Sequence, residues 1–432
     1  MSLATISLTI LLLLVLFLFG TVWVGVSLFI VGLLGVVFFT ESPPLSIMSK
    51  ILWNNANDAS MMALPLFIFM GEILVRSKMS ENLFKGLSPW LSFLPGRLMH
   101  VNIAASSLFS AVSGSSAATT ATVGKITLPE LFSRGYDRAL SIGSLAGAGT
   151  LGFLIPPSMM MIVYGIVADV SIGQLFIAGL LPAAIMIVLF SGYIIIRSLI
   201  NPDLARNEET YTWKERFQSL PHILPIVLLI LLVLGSIYTG WATPTEAAAV
   251  GVAGSFVFAL FTRKLNGKIF MEIIRETVKT STMIMIIVIG ASYLSVTVGY
   301  LRIPNELTQF IATLDLSKYQ LIIILSIMYI ILGMMLDGFS IIVMSLPLAL
   351  PLIVAAGFDP LWFGVYLILM IELSQITPPV GFNLFVINGL VKEDILKIAK
   401  FAIPSFIMIL IVTAIITVYP DIVLWIPELM MK

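Results

Sequence analysis

Two polar, glycine-rich stretches stand inside long apolar runs of this 432-residue chain: Ser110-Ala-Val-Ser-Gly-Ser-Ser-Ala-Ala-Thr-Thr120 and Leu336-Asp-Gly-Phe-Ser340. Serine hydroxyls, a carboxylate and backbone carbonyls freed at a turn are hard oxygen ligands, suited to a small cation. Gly, Ala, Ser and Thr also let membrane helices pack closely, so the first run alone leaves both readings open. Two further segments weigh between them, Gly152-Phe-Leu-Ile-Pro-Pro157 and Ser374-Gln-Ile-Thr-Pro-Pro379. A Pro-Pro pair removes two amide donors and breaks a helix. Non-helical backbone at membrane depth is tolerated only inside protein or beside a wet cavity. Freed carbonyls there can coordinate Na⁺, and half-helix N-termini can face an anion. One such break can be a plain kink. Two, at equivalent positions and each with its own polar turn, point to a site.

Ionisable side chains inside a membrane are costly and default to function. Asp337 stands in the second polar turn, as a neighbour of a cation or as a cap on a half-helix. Glu372 precedes the second Pro-Pro by six residues and reads either as cavity lining or as a structural hydrogen-bonding group. Asn383 follows that break within two turns and can reach the same cavity. Lys125 is placed to snorkel at the base of the first turn's hairpin. Glu72 is free to pair with a partner subunit. Thr243-Pro-Thr-Glu246 has the Thr, Pro and Glu of a capping box and reads as structural.

Several chemistries are excluded. The chain has no cysteine and only two histidines, His100 and His222, so a disulfide, a thiol nucleophile or a histidine-rich metal site is ruled out. Neither histidine is placed as a base for Ser113. Tyr136-Asp137 has no second Gly-x-Gly-Asp partner, and no phosphate-binding loop is present. The chain therefore reads as no enzyme and no ATPase, with no organic cofactor and no nucleic-acid partner.

Composition supplies the elements that must hold these residues. Apolar residues make up 59% and charged residues 11%, with a mean hydropathy of +1.08. A soluble domain carries roughly a quarter charged residues, so the chain is an all-α, polytopic protein of the lipid bilayer. Residues 3–40 would make a helix of about 57 Å against a hydrocarbon core of about 30 Å, so they form two spans turning near Gly20. Further spans are expected over 56–77, 138–167, 172–199, 224–240, 243–261, 278–300, 361–389 and 396–419. Polar-tipped re-entrant hairpins are expected over 99–130 and 319–353. Residues 45–53, 82–94 and 266–277 look amphipathic.

The chain also aligns with itself at an offset of 222 residues: Pro129 on Pro351, Gly135 on Gly357, Pro156-Pro157 on Pro378-Pro379, Pro182 on Pro404. Two repeats follow, 1–200 and 224–432, joined by a polar linker over 201–223. Lys and Arg crowd the linker (Arg197, Arg206, Lys214, Arg216), the stretch 262–279 (Arg263, Lys264, Lys268, Arg275, Lys279) and 390–400 (Lys392, Lys397, Lys400). Their repeat partners are poor in both. Equivalent loops on opposite sides imply inverted topology, with the linker cytoplasmic and both termini outside. Arg97, Arg134 and Arg138 put the base of the first hairpin on the cytoplasmic side, and the second hairpin opens outward.

These segments, in this order, resemble the large membrane subunit of TRAP transporters, the tripartite ATP-independent periplasmic family (DctM-like). The matching stretches are SGSSAAT at 113–119, GTLGFLIPPS at 149–158, WKER at 213–216, GWATPTEAAAVG at 240–251, LDGFS at 336–340, GFDPLWFG at 357–364 and ITPPVGFNLFVI at 376–387. The resemblance spans essentially the whole chain. It implies a multi-pass subunit of the bacterial inner membrane that imports a small organic anion, of the carboxylate or sulfonate class, with Na⁺ as coupling ion. It implies an elevator mechanism, in which a transport domain holding both hairpins and both broken helices moves against a scaffold. Partners would be a small four-helix DctQ-like membrane subunit, not fused to this chain, and a periplasmic substrate-binding protein. Carried over, one Na⁺ site draws on Ser113, Ser115, Gly152, Ile155 and Pro157. Its pseudo-symmetric mate draws on Gly338, Ser374 and Thr377, with Asp337 nearby. Ser116, Thr119, Pro156, Ser340, Glu372, Gln375, Pro378 and Asn383 would line the substrate cavity. The family often has Gly where Ser374 stands and Leu where Gln375 stands. A stand-alone Na⁺- or H⁺-coupled anion symporter would share the hairpins and breaks; the TPTEAAA and WKER stretches favour the tripartite reading.

Overall fold

The computed structural model describes residues 3–77, 79–205, 211–262 and 265–430. Arg206, Arg263 and Lys264 of the orientation argument lie outside them. The described residues are helical, without strands. In chain order the helices are α1 (Leu3–Phe19), α2 (Val24–Phe39), α3 (Pro44–Asn57), α4 (Ala59–Arg76), α5 (Met79–Leu91), α6 (Met99–Ser113), α7 (Ser116–Ser133), α8 (Arg138–Thr150), α9 (Met159–Ala168) and α10 (Ile172–Ile200). They continue as α11 (Trp213–Tyr238), α12 (Pro244–Phe261), α13 (Gly267–Tyr300), α14 (Ile303–Thr313), α15 (Lys318–Gly333), α16 (Gly338–Ala355), α17 (Pro360–Gln375), α18 (Phe382–Val391), α19 (Ile395–Val418) and α20 (Asp421–Met430). Seven of these are long and apolar enough to cross a membrane, the longest being α10 and α13.

The starts of α7 and α16, and of α8 and α17, differ by 222 residues, the offset of the sequence repeat. Side-chain contacts fix how the two sets run. Arg138, opening α8, lies 3.2 Å from Glu393, just past the end of α18. Tyr164, in the middle of α9, donates a 2.6 Å hydrogen bond to the carbonyl of Pro360, which opens α17. The broken helix α8–α9 therefore runs antiparallel to α17–α18.

The same logic sorts the loops by face. Asp137 N–H bonds the Leu204 carbonyl, the Ser219 hydroxyl bonds the Gly86 carbonyl, and Arg76 pairs with Glu272 at 3.1 Å. The first ties the linker to the base of the first hairpin, the second ties α11 to α5, and the third ties the Lys/Arg-rich start of α13 to the end of α4.

Four helices differ from the sequence reading. Helix α11 begins at Trp213, inside the stretch read as linker, because Thr212 and Glu215 form a capping box there. Helix α13 is one continuous helix, not a flat segment followed by a span. Asn266 caps it, no proline interrupts it, and Ile273, Thr277, Ser281 and Ile284 carry one buried stripe through the expected junction. Its repeat equivalent is split at Asp58, whose carboxylate caps α4. Helices α14 and α20 were not read from sequence. Glu72, read as able to pair with a partner subunit, is half-buried and pairs within α4 with Arg76 at 3.2 Å.

Packing divides by element. Helix α2 lies along α13, and α4 along α12, with α11 against α5 and α12. The second group centres on α17, whose residues 361–375 are all buried. Phe358, Trp362 and Tyr366 stack at centroid separations of 4.4 and 5.3 Å. Each polar end in that column has a partner: Trp362 Nε1 donates to the Ile416 carbonyl, and the Tyr366 hydroxyl meets Ser326 Oγ at 2.7 Å. Helices α9, α10, α15, α16 and α19 surround it.

Candidate functional site

The first hairpin turns in two residues. Gly114 ends α6 at φ 57°, the left-handed region where a Cβ is penalised, and Ser115 caps α7 by accepting from Ala118 N–H. The first break is residues 151–158, between α8 and α9. The two pieces interlock. A Cβ on Gly152 would lie 2.6 Å from the carbonyl oxygen of Ser115, and one on Gly114 would lie 2.7 Å from the carbonyl oxygen of Pro157. Met159 N–H reaches the Gly114 carbonyl at 3.4 Å. The Ser116 hydroxyl donates to the Gly149 carbonyl at 3.1 Å. Ser113 Oγ and Thr119 Oγ1 are 2.9 Å apart, with Ser110 Oγ 3.5 Å from the same threonine. The tip and the break thus meet where Gly114 and Ser115 face Pro157 and Gly152, with Ser113 Oγ 3.4 Å from the Ser115 carbonyl oxygen. Ile155 stands in the break, half-buried, with its N–H on the Leu151 carbonyl. Pro156-Pro157 is a cis peptide, as is Pro378-Pro379.

The second hairpin is built differently. Asp337 is the exposed N-cap of α16 and accepts from Phe339 N–H, Ser340 N–H and the Ser340 hydroxyl. The hairpin meets the second break through Gly333, where a Cβ would run into the side chain of Ser374. The hydroxyls of Ser374 and Thr377 each donate 2.7 Å bonds back to the carbonyls of Ile371 and Leu373. That leaves their lone pairs for a further group. Gly338 packs against Ile371 and Met160. Ser340 and Gln375 are buried, and Pro378 is half-buried.

The two tips converge. The first rests on Met159 and the second on Met160, the first two residues of α9. Asn383, in the first turn of α18, is fully buried and donates a 2.7 Å hydrogen bond to Ser116 Oγ. Its own Oδ1 is buried without a partner. Glu372 is 0% exposed, and neither carboxyl oxygen has a hydrogen-bond partner, although the backbone of Leu154 approaches it. It is fully enclosed.

Four helix N-termini open at the tips and breaks: α7 at Ser116, α9 at Met159, α16 at Gly338 and α18 at Phe382. Four C-terminal ends close there: α6, α8, α15 and α17. N-termini present partial positive charge and C-termini partial negative charge. No side chain caps α18, whose N-cap is Gly381 at φ 46°. Its first-turn amides can receive an anion. Sequence reasoning missed Gly149, Gly333 and the Met159-Met160 contact. Only the first had a local signal, the Gly-x-x-Gly spacing before the first break.

A helical protein with membrane-length spans, two interlocked turn-and-break pairs and a cluster of helix ends at depth is a polytopic membrane transporter subunit. Residues 10–422 match the family model of the tripartite ATP-independent periplasmic transporter, DctM component, and the chain belongs to that family as a large permease subunit. It is 31% identical over 405 residues to the C4-dicarboxylate TRAP transporter large permease protein DctM of Pseudomonas aeruginosa, covering 93% of this chain and 94% of that one. It is 29% identical over 424 residues to the sialic acid TRAP transporter large permease protein SiaM of Vibrio cholerae, covering 95% and 96%. The crystal structure of the Alcanivorax borkumensis YdaH transporter superimposes with a TM-score of 0.64 at 15% identity, over 94% of this chain and 98% of that one, a likeness of fold alone.

Proposed function

We propose that this subunit imports a small organic anion of the carboxylate or sulfonate class across the bacterial inner membrane, driven by Na⁺. The anion would be delivered by a periplasmic binding protein, with a small DctQ-like subunit completing the complex. The single observation that supports this most is the interlock of the first tip and break, which gathers the Ser115 and Pro157 carbonyls beside Ser113. In this reading Na⁺ occupies that cluster and a second one near Gly338, Ser374 and Thr377. Neither tip nor break carries Lys or Arg within 113–119, 149–160, 333–340 or 371–383. The anion is therefore held by helix N-termini, hydroxyls and the bound cations, so Na⁺ and anion bind together. Pairing their charges lets both cross the apolar interior as one low-charge unit.

The movement is of the elevator type in two inverted repeats, supported by the antiparallel run of α8–α9 and α17–α18. The hairpins and broken helices travel as one body against α2–α4 and α11–α13. The deciding experiment is uptake into proteoliposomes holding this chain and its small partner under an inward Na⁺ gradient. Uptake that needs both Na⁺ and the binding protein supports the reading. Uptake without the binding protein makes the chain a stand-alone symporter, and Na⁺-independent uptake removes both cation sites.

A further inference from the structure

One cleft lies away from the tips and breaks, where α5 passes into α6. Its volume is about 320 Å³, and residues 92–95, Arg97, Tyr211 and Arg216 line it. Two of these are arginines and none is acidic. Arg216 lies in the first turn of α11, its guanidinium carbon 4.8 Å from the Trp213 ring centroid and 5.8 Å from that of Phe93. Among the described residues no carboxylate pairs with it, and its Nε is buried without a hydrogen-bond partner. Both rings lie within cation–π reach of the guanidinium, and its Nε–H is left to be satisfied. That planar fork matches a phosphate.

The rim says where the phosphate comes from. Trp213, Phe93 and Phe217 are 66%, 66% and 60% exposed. Aromatic rings at that level of a membrane-crossing helix mark the bilayer interface, and basic pockets between helices there take anionic headgroups. A free phosphate would satisfy the guanidinium and leave three rings uncovered. A phospholipid also supplies glycerol and acyl carbons to cover them. We propose that this cleft binds the phosphate of an anionic phospholipid from the linker-side leaflet. Its walls come from the loop entering the first hairpin and from α11, which packs on α5 and α12. The bound lipid therefore ties the base of that hairpin to helices of the other packing group.

The test is native mass spectrometry of the detergent-purified chain titrated with phosphatidylglycerol, phosphatidylcholine or inorganic phosphate. The wild type should retain phosphatidylglycerol over phosphatidylcholine. Arg216→Gln should weaken that retention about tenfold, the loss of one charge-assisted bond in a sheltered site. Arg216→Lys, which keeps the charge and loses the fork, should fall between and covers the case of a misfolded Gln variant. Lys214→Gln, on the exposed side of the same turn, should bind as wild type. Equal retention by Arg216→Gln, or equal loss by Lys214→Gln, overturns the site. Displacement of the lipid by millimolar phosphate overturns the lipid as its source.

Discussion

Asn383 and Ser116 lie 267 residues apart and share a 2.7 Å hydrogen bond inside the membrane domain. The amide comes from the helix after the second break and the hydroxyl from the tip of the first hairpin. Ser116 passes the bond on to the Gly149 carbonyl at 3.1 Å, so one chain of two bonds crosses from α18 through α7 to α8. Elements of both repeats are thereby held as one body, as the elevator reading requires.

Asn383→Leu should cut this link. It removes a buried donor and leaves the Ser116 oxygen without the bond it accepts, which costs about 1–3 kcal/mol. The expected outcome is a lower thermal midpoint and uptake at least tenfold below wild type. Asn383→Gln, which keeps an amide on a longer arm, should recover part of the stability and little of the uptake. An Asn383→Leu variant with wild-type uptake would show that the bond does not hold the moving parts together.

How much of this was legible beforehand follows from the range of each signal. The hairpins and breaks were, because Pro-Pro pairs and Ser/Gly turns act on the backbone within a few residues. The continuity of α13 was not, because it rests on a buried stripe whose partners are on other helices. The start of α11 at Trp213 had a local signal, Thr212 with Glu215, the same box read correctly at Thr243 and Glu246. Polar composition outweighed it. At the site, residue types were readable and pairings were not. Nothing local joins Gly114 to Pro157, or Asn383 to Ser116.

Gly152→Ala should separate the first tip from its break. The added Cβ falls 2.6 Å from the Ser115 carbonyl carbon, its oxygen and the Ser116 nitrogen, all backbone atoms that cannot swing away. We expect the Na⁺ concentration for half-maximal uptake to rise at least fivefold. Gly192→Ala, with nothing within 4 Å of its Cβ inside helix α10, should leave uptake unchanged. It should stabilise the protein by about 0.5–1 kcal/mol. A Gly152→Ala variant with unaltered Na⁺ dependence removes the first cation site.

The bridge from Glu393 to Lys397 and Arg138 predicts an acid-labile contribution. The Lys397 hydrogen bond first, and the Arg138 pair after it, hold the Glu393 carboxyl below its usual range. A carboxyl depressed in the fold stabilises above its unfolded pKa, about 4.3, and that contribution is lost as pH falls through the folded value. Thermal midpoints of wild type and Glu393→Gln should therefore differ at pH 7 and converge below about pH 4. High salt should narrow the gap at pH 7, because all three side chains meet water.

Asp337 separates two roles that one alanine substitution would confuse. It caps α16, and its charge stands beside the second tip. Asp337→Asn keeps a good cap and removes the charge, whereas Asp337→Ala removes both and should cost about 1 kcal/mol of stability. If the charge contributes to the second cation site, both variants raise the Na⁺ needed for half-maximal uptake, and membrane potential drives them less steeply. Each net charge moved is worth about 2.3 kcal/mol per 100 mV, so uptake at imposed potentials reads a lost cation directly. If Asp337 only caps, Asp337→Asn matches wild type in Na⁺ dependence, voltage response and midpoint, and Asp337→Ala loses stability alone. The second site would then rest on Ser374, Thr377 and the carbonyls freed at the end of α17.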